Sequence, residues 1–150
     1  MSRSSQLSPV TTREVTWEKM TLTVDSGASE TVIPPGCCEW AFLHHSPKVG
    51  NEYEVANGEV VYNIGERRFI MKLSARSNEL ELNAQVVEGV HKPLLAVSSV
   101  TAQGHQVIFA AQDSHILMKS GEKLPMRVEN GVYEIDMWVK SSGFTRPSEQ

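Results

Sequence analysis

Met20-Thr21-Leu22-Thr23-Val24-Asp25-Ser26-Gly27-Ala28-Ser29-Glu30-Thr31-Val32-Ile33 is the stretch on which the reading of the chain turns. Met20, Leu22 and Val24 alternate with threonines, the period of a half-buried strand. That strand delivers Asp25 into a Ser26-Gly27 turn, and a β-branched run, Thr31-Val32-Ile33, follows until Pro34-Pro35-Gly36 stops it. An apolar strand carries its terminal carboxylate into a largely buried place, where the ionised form is poorly solvated and its pKa is open to tuning. Gly27 admits a close backbone approach, and the Ser26 hydroxyl is expected to lock the loop by hydrogen bonding. Asp-Ser-Gly alone is an ordinary turn tripeptide. Two flanking apolar strands set this one apart.

Outward from there the punctuation is that of a β protein. Val15 and Trp17 alternate with polar neighbours ahead of the quoted stretch. Residues 39–45 suit a helical turn or two, with Trp40 and Leu43 on one side. Tyr53 and Val55 lead into Asn57-Gly58, and Val60-Val61-Tyr62 lead out, so a hairpin is expected there with both turn residues at positive φ. Phe69, Met71 and Leu73 alternate, Arg76-Ser77-Asn78 turns the chain, and Leu80, Leu82, Ala84 and Val86-Val87 run back. Pro93 at a first turn and Gly104 past an end predict one helix around Val97. Val107-Ile108-Phe109 reads as a strand, and hairpins are expected around Ser120-Gly121 and Asn130-Gly131. Val132, Tyr133, Ile135 and Met137 fall in the last strand.

The whole is an all-β chain with one short helix. Its 150 residues suit a single core, burying roughly 70% of the surface an extended chain exposes. Hydrophobic residues at 40% and charged residues at 21% argue against disorder. A net charge of −4 argues against nonspecific nucleic-acid binding, which needs a basic face. No stretch approaches the roughly 18 apolar residues of a membrane span, and Met1–Gln6 lacks the apolar core of a signal peptide. The expectation is a soluble chain of the cytoplasm, with no membrane partner.

The motifs then carry a resemblance. Val24-Asp25-Ser26-Gly27-Ala28-Ser29, Ala56-Asn57-Gly58 and Leu94-Leu95-Ala96-Val97-Ser98-Ser99-Val100, followed by Gly104-His105-Gln106-Val107-Ile108-Phe109, are similar to blocks of the retropepsins, the aspartic proteases of retroviruses and retrotransposons. The Asp-Ser-Gly-Ala-Ser form and the Leu-Leu-x-Val-Ser block look most like copia-type elements, and the likeness spans roughly residues 15–137. Gly131-Val132-Tyr133-Glu134-Ile135 also looks like the start of the segment that follows the protease in such polyproteins. Ala96 stands where the retroviral enzymes usually have Gly, and the stretch between Pro35 and Gly50 is a longer insertion with no counterpart.

The resemblance implies a small closed β-barrel of the retropepsin type, active as a homodimer on a polypeptide substrate, the element's own polyprotein. It makes Asp25 catalytic and Ser26 and Gly27 its loop support. Ala28, Ser29 and the flap tip Ala56-Asn57-Gly58 become substrate-binding residues. Two carboxylates in contact share one proton; one acts as base toward water while the other polarises the scissile carbonyl. No cofactor and no metal are implied. One Asp-Ser-Gly loop per chain puts the dyad across a two-fold axis, since Gln112-Asp113-Ser114-His115 lacks both the glycine and the apolar strand. Terminal strands of the two subunits would interleave, here the strand near Val15 and Trp17 and one after Phe109. The implied organisation is a flexible arm over 1–13, a retropepsin-like domain over 14–118, a C-terminal β-hairpin extension over 119–140 and a disordered tail over 141–150. Such a protein works in the cytoplasm, within retroelement particles.

Other residues read more plainly. Adjacent Cys37 and Cys38 suit reduced thiols; with His44 and His45 they match no zinc template, and neighbours in sequence seldom align as nucleophile and base. Trp17, Trp40 and Trp138 read as core or interface residues, and Arg67-Arg68 as an exposed pair beyond the flap. The rival readings are a catalytically silent, domesticated retropepsin fold used for dimerisation or peptide binding, and a β-barrel binding domain with an incidental turn.

Overall fold

Alternating burial along the long strands organises the molecule. The computed structural model describes residues 16–141 apart from Ala56, Ala75, Arg76 and Asn78. The expected arm over 1–13, Val15 and residues 142–150 of the expected tail lie outside the described residues, as do Arg76 and Asn78 of the expected turn.

Strand β1 (Trp17–Asp25) turns Met20, Leu22 and Val24 inward. It pairs antiparallel with β12 (Val132–Lys140), Leu22 opposite Ile135 and Met20 opposite Met137. Between them in sequence come β2 (Val32–Ile33), β3 (Leu43–His44), β4 (Glu52–Glu54), β5 (Val60–Lys72), β6 (Leu80–Glu88) and β7 (Leu94–Ala96). Helix α1 (Val97–Ala102) follows, then β8 (Gln106–Ile108), β9 (His115–Leu117), β10 (Lys123–Pro125) and β11 (Arg127–Glu129). The nine-stranded sheet has the order β11-β12-β1-β7-β2-β6-β5-β3, with β4 on β5. Because β12 also pairs β5, at Trp138↔Lys72 and Val139↔Met71, the sheet closes into a ring. Strands β10-β9-β8 form a second, three-stranded sheet.

The ring encloses Leu22, Ile33, Phe69, Ala84 and Val86, all essentially solvent-free, with Met20 of β1, Met71 of β5 and Met137 of β12 around them. The fold is therefore all-β with one short helix among the described residues. Strand β12 lies between β1 and β5. No described helix is long and apolar enough to cross a membrane.

Several expectations are corrected. The helix begins later than Pro93 suggests, because Leu94, Leu95 and Ala96 pair in parallel with Thr23, Val24 and Asp25. Its far end is as expected: Gly104 takes φ +95°, and the amides of Gly104 and His105 return to Thr101 O and Val100 O. Residues 39–45 contain no helix; Leu43 and His44 pair with Arg67 and Glu66. In the Asn57-Gly58 hairpin only Gly58 has positive φ, since the Asn57 side-chain oxygen takes the Glu59 amide at 2.9 Å instead. The two-residue turn with both residues at positive φ occurs at Asn130-Gly131. Arg67 is buried rather than exposed, because β5 points Val61, Asn63, Gly65, Arg67, Phe69 and Met71 inward and Val60, Tyr62 and Arg68 outward. Trp40 packs against the core, whereas Trp138 is exposed and Trp17 sits half-buried beneath the Lys72 ammonium, 5.0 Å away.

Candidate active site

Asp25 is the last residue of β1, and the chain turns immediately after it. The Gly27 amide donates to Asp25 Oδ1 at 2.8 Å. A Cβ on Gly27 would stand 3.4 Å from that same oxygen, in van der Waals contact with the carboxylate. Behind the loop, buried Thr31 accepts the Ala96 amide on its hydroxyl at 3.2 Å, tying β2 to β7 at the level of Asp25. The Ser98 hydroxyl reaches Ala28 O at 3.5 Å. These contacts hold the loop. The expected Ser26 lock does not form: Ser26 is exposed and its hydroxyl has no partner among the described residues. Asp25 is also only half-buried in the single chain, not largely buried, because the exposed Ser26-Gly27 turn leaves one side open.

A cleft of about 450 Å³ opens in front of Asp25. Gly27, Ala28, Ser29 and Glu30 form one wall; Val32, Val87, Val90 and Leu94 form an apolar floor; Tyr53, Glu54, Val55 and Val61 of the β4–β5 hairpin form the roof. The structure thus brings together Asp25, Gly27, Ala28 and Ser29. Ser26, Asn57 and Gly58 stand outside the lining, the latter two at the exposed hairpin tip. Ala56 lies outside the described residues. No other aspartate lines this cleft among the described residues: Asp113 is bound to Lys123 at 2.6 Å beside the small sheet.

Sequence reading missed a buried polar cluster beside Asp25. Glu30 forms an ion pair with Lys48 and accepts the Tyr53 hydroxyl at 3.0 Å. The phenol in turn accepts from Asn63 Nδ2 at 3.1 Å, which also donates to Gln85 Oε1 at 2.8 Å. Gln85 Oε1 takes the Ser46 hydroxyl as well, at 3.0 Å. Asn63 Oδ1 accepts the Gly65 amide at the β-bulge between β5 and β6. Burial pushes the Tyr53 phenol above its ordinary pKa, and the hydrogen bond to Glu30 does the same for the Lys48 ammonium. The available signal was Asn63 and Gln85, polar side chains at inward positions of apolar strands.

Cys37 and Cys38 sit in the turn after β2, and burial raises both thiols, Cys38 to about 12. Neither is an activated nucleophile. His44 stacks edge-on against Phe42 at 4.7 Å and His45 is exposed. Among the described residues, no three His, Cys, Asp or Glu side chains converge to hold a metal ion. Compared with protein-family models, curated proteins and solved structures, the chain gives no match.

Proposed function

We propose that this chain is an aspartic endopeptidase of the retropepsin type, a closed barrel that works as a homodimer on the polyprotein of a retroelement, in the cytoplasm and within the element's particles. The observation that carries the reading is Asp25 at the mouth of the hairpin-roofed cleft, its Oδ1 fixed by the Gly27 amide. The cleft is long on apolar surface and short on positive charge, which suits an extended peptide rather than a phosphate. Its half-buried Asp25 has an open side, where a second copy would bring its own carboxylate.

Two such carboxylates share one proton. The ionised one takes a proton from water as the oxygen attacks the scissile carbonyl carbon, and the protonated one donates to the carbonyl oxygen. Collapse of the resulting diol breaks the C–N bond, with a proton delivered to the leaving nitrogen. The test is incubation of the purified chain with a fused polyprotein, with and without an active-site inhibitor of aspartic proteases. Cleavage that the inhibitor blocks is expected. Specific activity should fall on dilution in step with the dimer fraction measured by sedimentation; activity held constant by a sedimenting monomer would overturn the shared-dyad mechanism.

A further inference from the structure

The cluster around Tyr53 joins two parts of the cleft that have to move relative to each other if the hairpin is to admit a peptide. Tyr53 is in the first strand of the hairpin; Glu30 is in the wall that runs on from Asp25. The direction of the hydrogen bond between them is fixed by its surroundings. The Gly65 amide can only donate, so Asn63 must present its oxygen there and its Nδ2 to Tyr53. With its oxygen already accepting from Asn63, the phenol spends its single proton on Glu30 Oε2. Asn63 and Ser46 are each 1% exposed and Gln85 8%, so these partners cannot be exchanged freely for water.

Among the described residues, the remainder of the hairpin has no comparable anchor. Its tip is exposed at Asn57 and Gly58, and a Cβ at Gly58 would meet nothing within 4 Å. We infer that the Tyr53–Glu30 hydrogen bond is a latch that ties the root of the hairpin to the Asp25 loop, with Tyr53 a positioning residue and Asn63 its orienting partner. The consequence for cleavage rests on the endopeptidase reading; the latch itself does not.

The test uses the full chain. In Tyr53→Phe, the amides of Val55 and Gly58, which are bonded across the turn, should exchange with solvent about tenfold faster, the change that a hydrogen bond to a charged acceptor carries. Amides of Phe69 and Val86 should keep their rates. Glu30→Ala should give the same acceleration, and it serves equally should the Tyr53 variant not fold. Glu30→Gln, which keeps an oxygen for the phenol, should change exchange less than about threefold. On a fused-polyprotein substrate, Tyr53→Phe should raise KM about tenfold with kcat near wild type. Unchanged exchange at Val55 and Gly58, or equal acceleration at Phe69 and Val86, would overturn the latch. If wild type cleaves nothing while exchange responds as stated, the latch stands and the endopeptidase reading falls; cleavage without an exchange response leaves the reverse.

Discussion

Replacing Arg67 by Met should loosen the whole segment between β2 and β3. Arg67 is 8% exposed, and its guanidinium donates from Nε to Ala41 O at 3.2 Å, and from Nη1 to Pro35 O at 3.1 Å and Cys37 O at 3.3 Å. Among the described residues no carboxylate pairs with it, so its charge is stabilised by three carbonyl dipoles. Methionine fills much of the same space and donates nothing. The Ala41 carbonyl, buried, would lose its partner outright at about 1–3 kcal/mol, while the two half-buried carbonyls can recover water and cost about 0.5–1 kcal/mol each. Relief of the buried charge offsets part of that. The expected net loss is about 2–3 kcal/mol, which for a chain of this size lowers the urea midpoint by roughly 1 M. Unfolding followed by tryptophan fluorescence suits the measurement, because Trp40 lies in the affected turn. Arg67→Lys should recover less than half, since one ammonium cannot span carbonyls that a planar fork reaches together. A Met variant within 0.5 kcal/mol of wild type, or complete recovery by Lys, would refute the argument.

Other outcomes follow from the same geometry. Asp25→Asn should abolish cleavage with the fold intact, since a carboxamide is neither base nor holder of a shared proton; residual activity in a clean preparation would sink the mechanism. Gly58→Val faces no steric neighbour but must hold φ near +87°, at a cost of about 1–2 kcal/mol confined to the hairpin tip, so turnover should fall far more than the thermal midpoint. With its thiol near 12 and buried, Cys38 should alkylate at pH 8 at least a hundredfold slower than a free cysteine until the protein unfolds, as mass spectrometry against time would register.

What the sequence made legible is what strands decide locally. The alternation of Met20, Leu22 and Val24, and of Phe69 and Met71, reads directly as inward faces, and the hairpins at 120–121 and 130–131 announce themselves by their turn residues. Leu94-Leu95-Ala96 was not legible as a strand. Its conformation is imposed by parallel pairing with β1, and a three-residue apolar run before a helix carries no period of its own. Arg67 was misread because it sits beside Arg68 in sequence, although a strand sends neighbours to opposite faces. Of the site, Asp25, Gly27, Ala28 and Ser29 were visible because they are contiguous. Glu30, Tyr53, Asn63 and Gln85 meet only through the pairing of β4, β5 and β6, which no local pattern encodes.

The pairing of β1 with β12 also sets a schedule. Ser141 Oγ bonds Thr16 O, residues 125 apart in sequence, and β12 supplies the last side of the ring on both β1 and β5. While the chain is being synthesised, β1 has no lasting partner along most of its length until the far strand has emerged from the ribosome. Met20 and Leu22, whose cross-strand partners are Met137 and Ile135, wait for that interval, and closure over so long a loop is slow. A chain stopped short of Val132 would keep β7 beside Asp25 yet leave most of β1 without its antiparallel partner. The order of translation thereby delays closure of the ring until nearly all of the described chain is made.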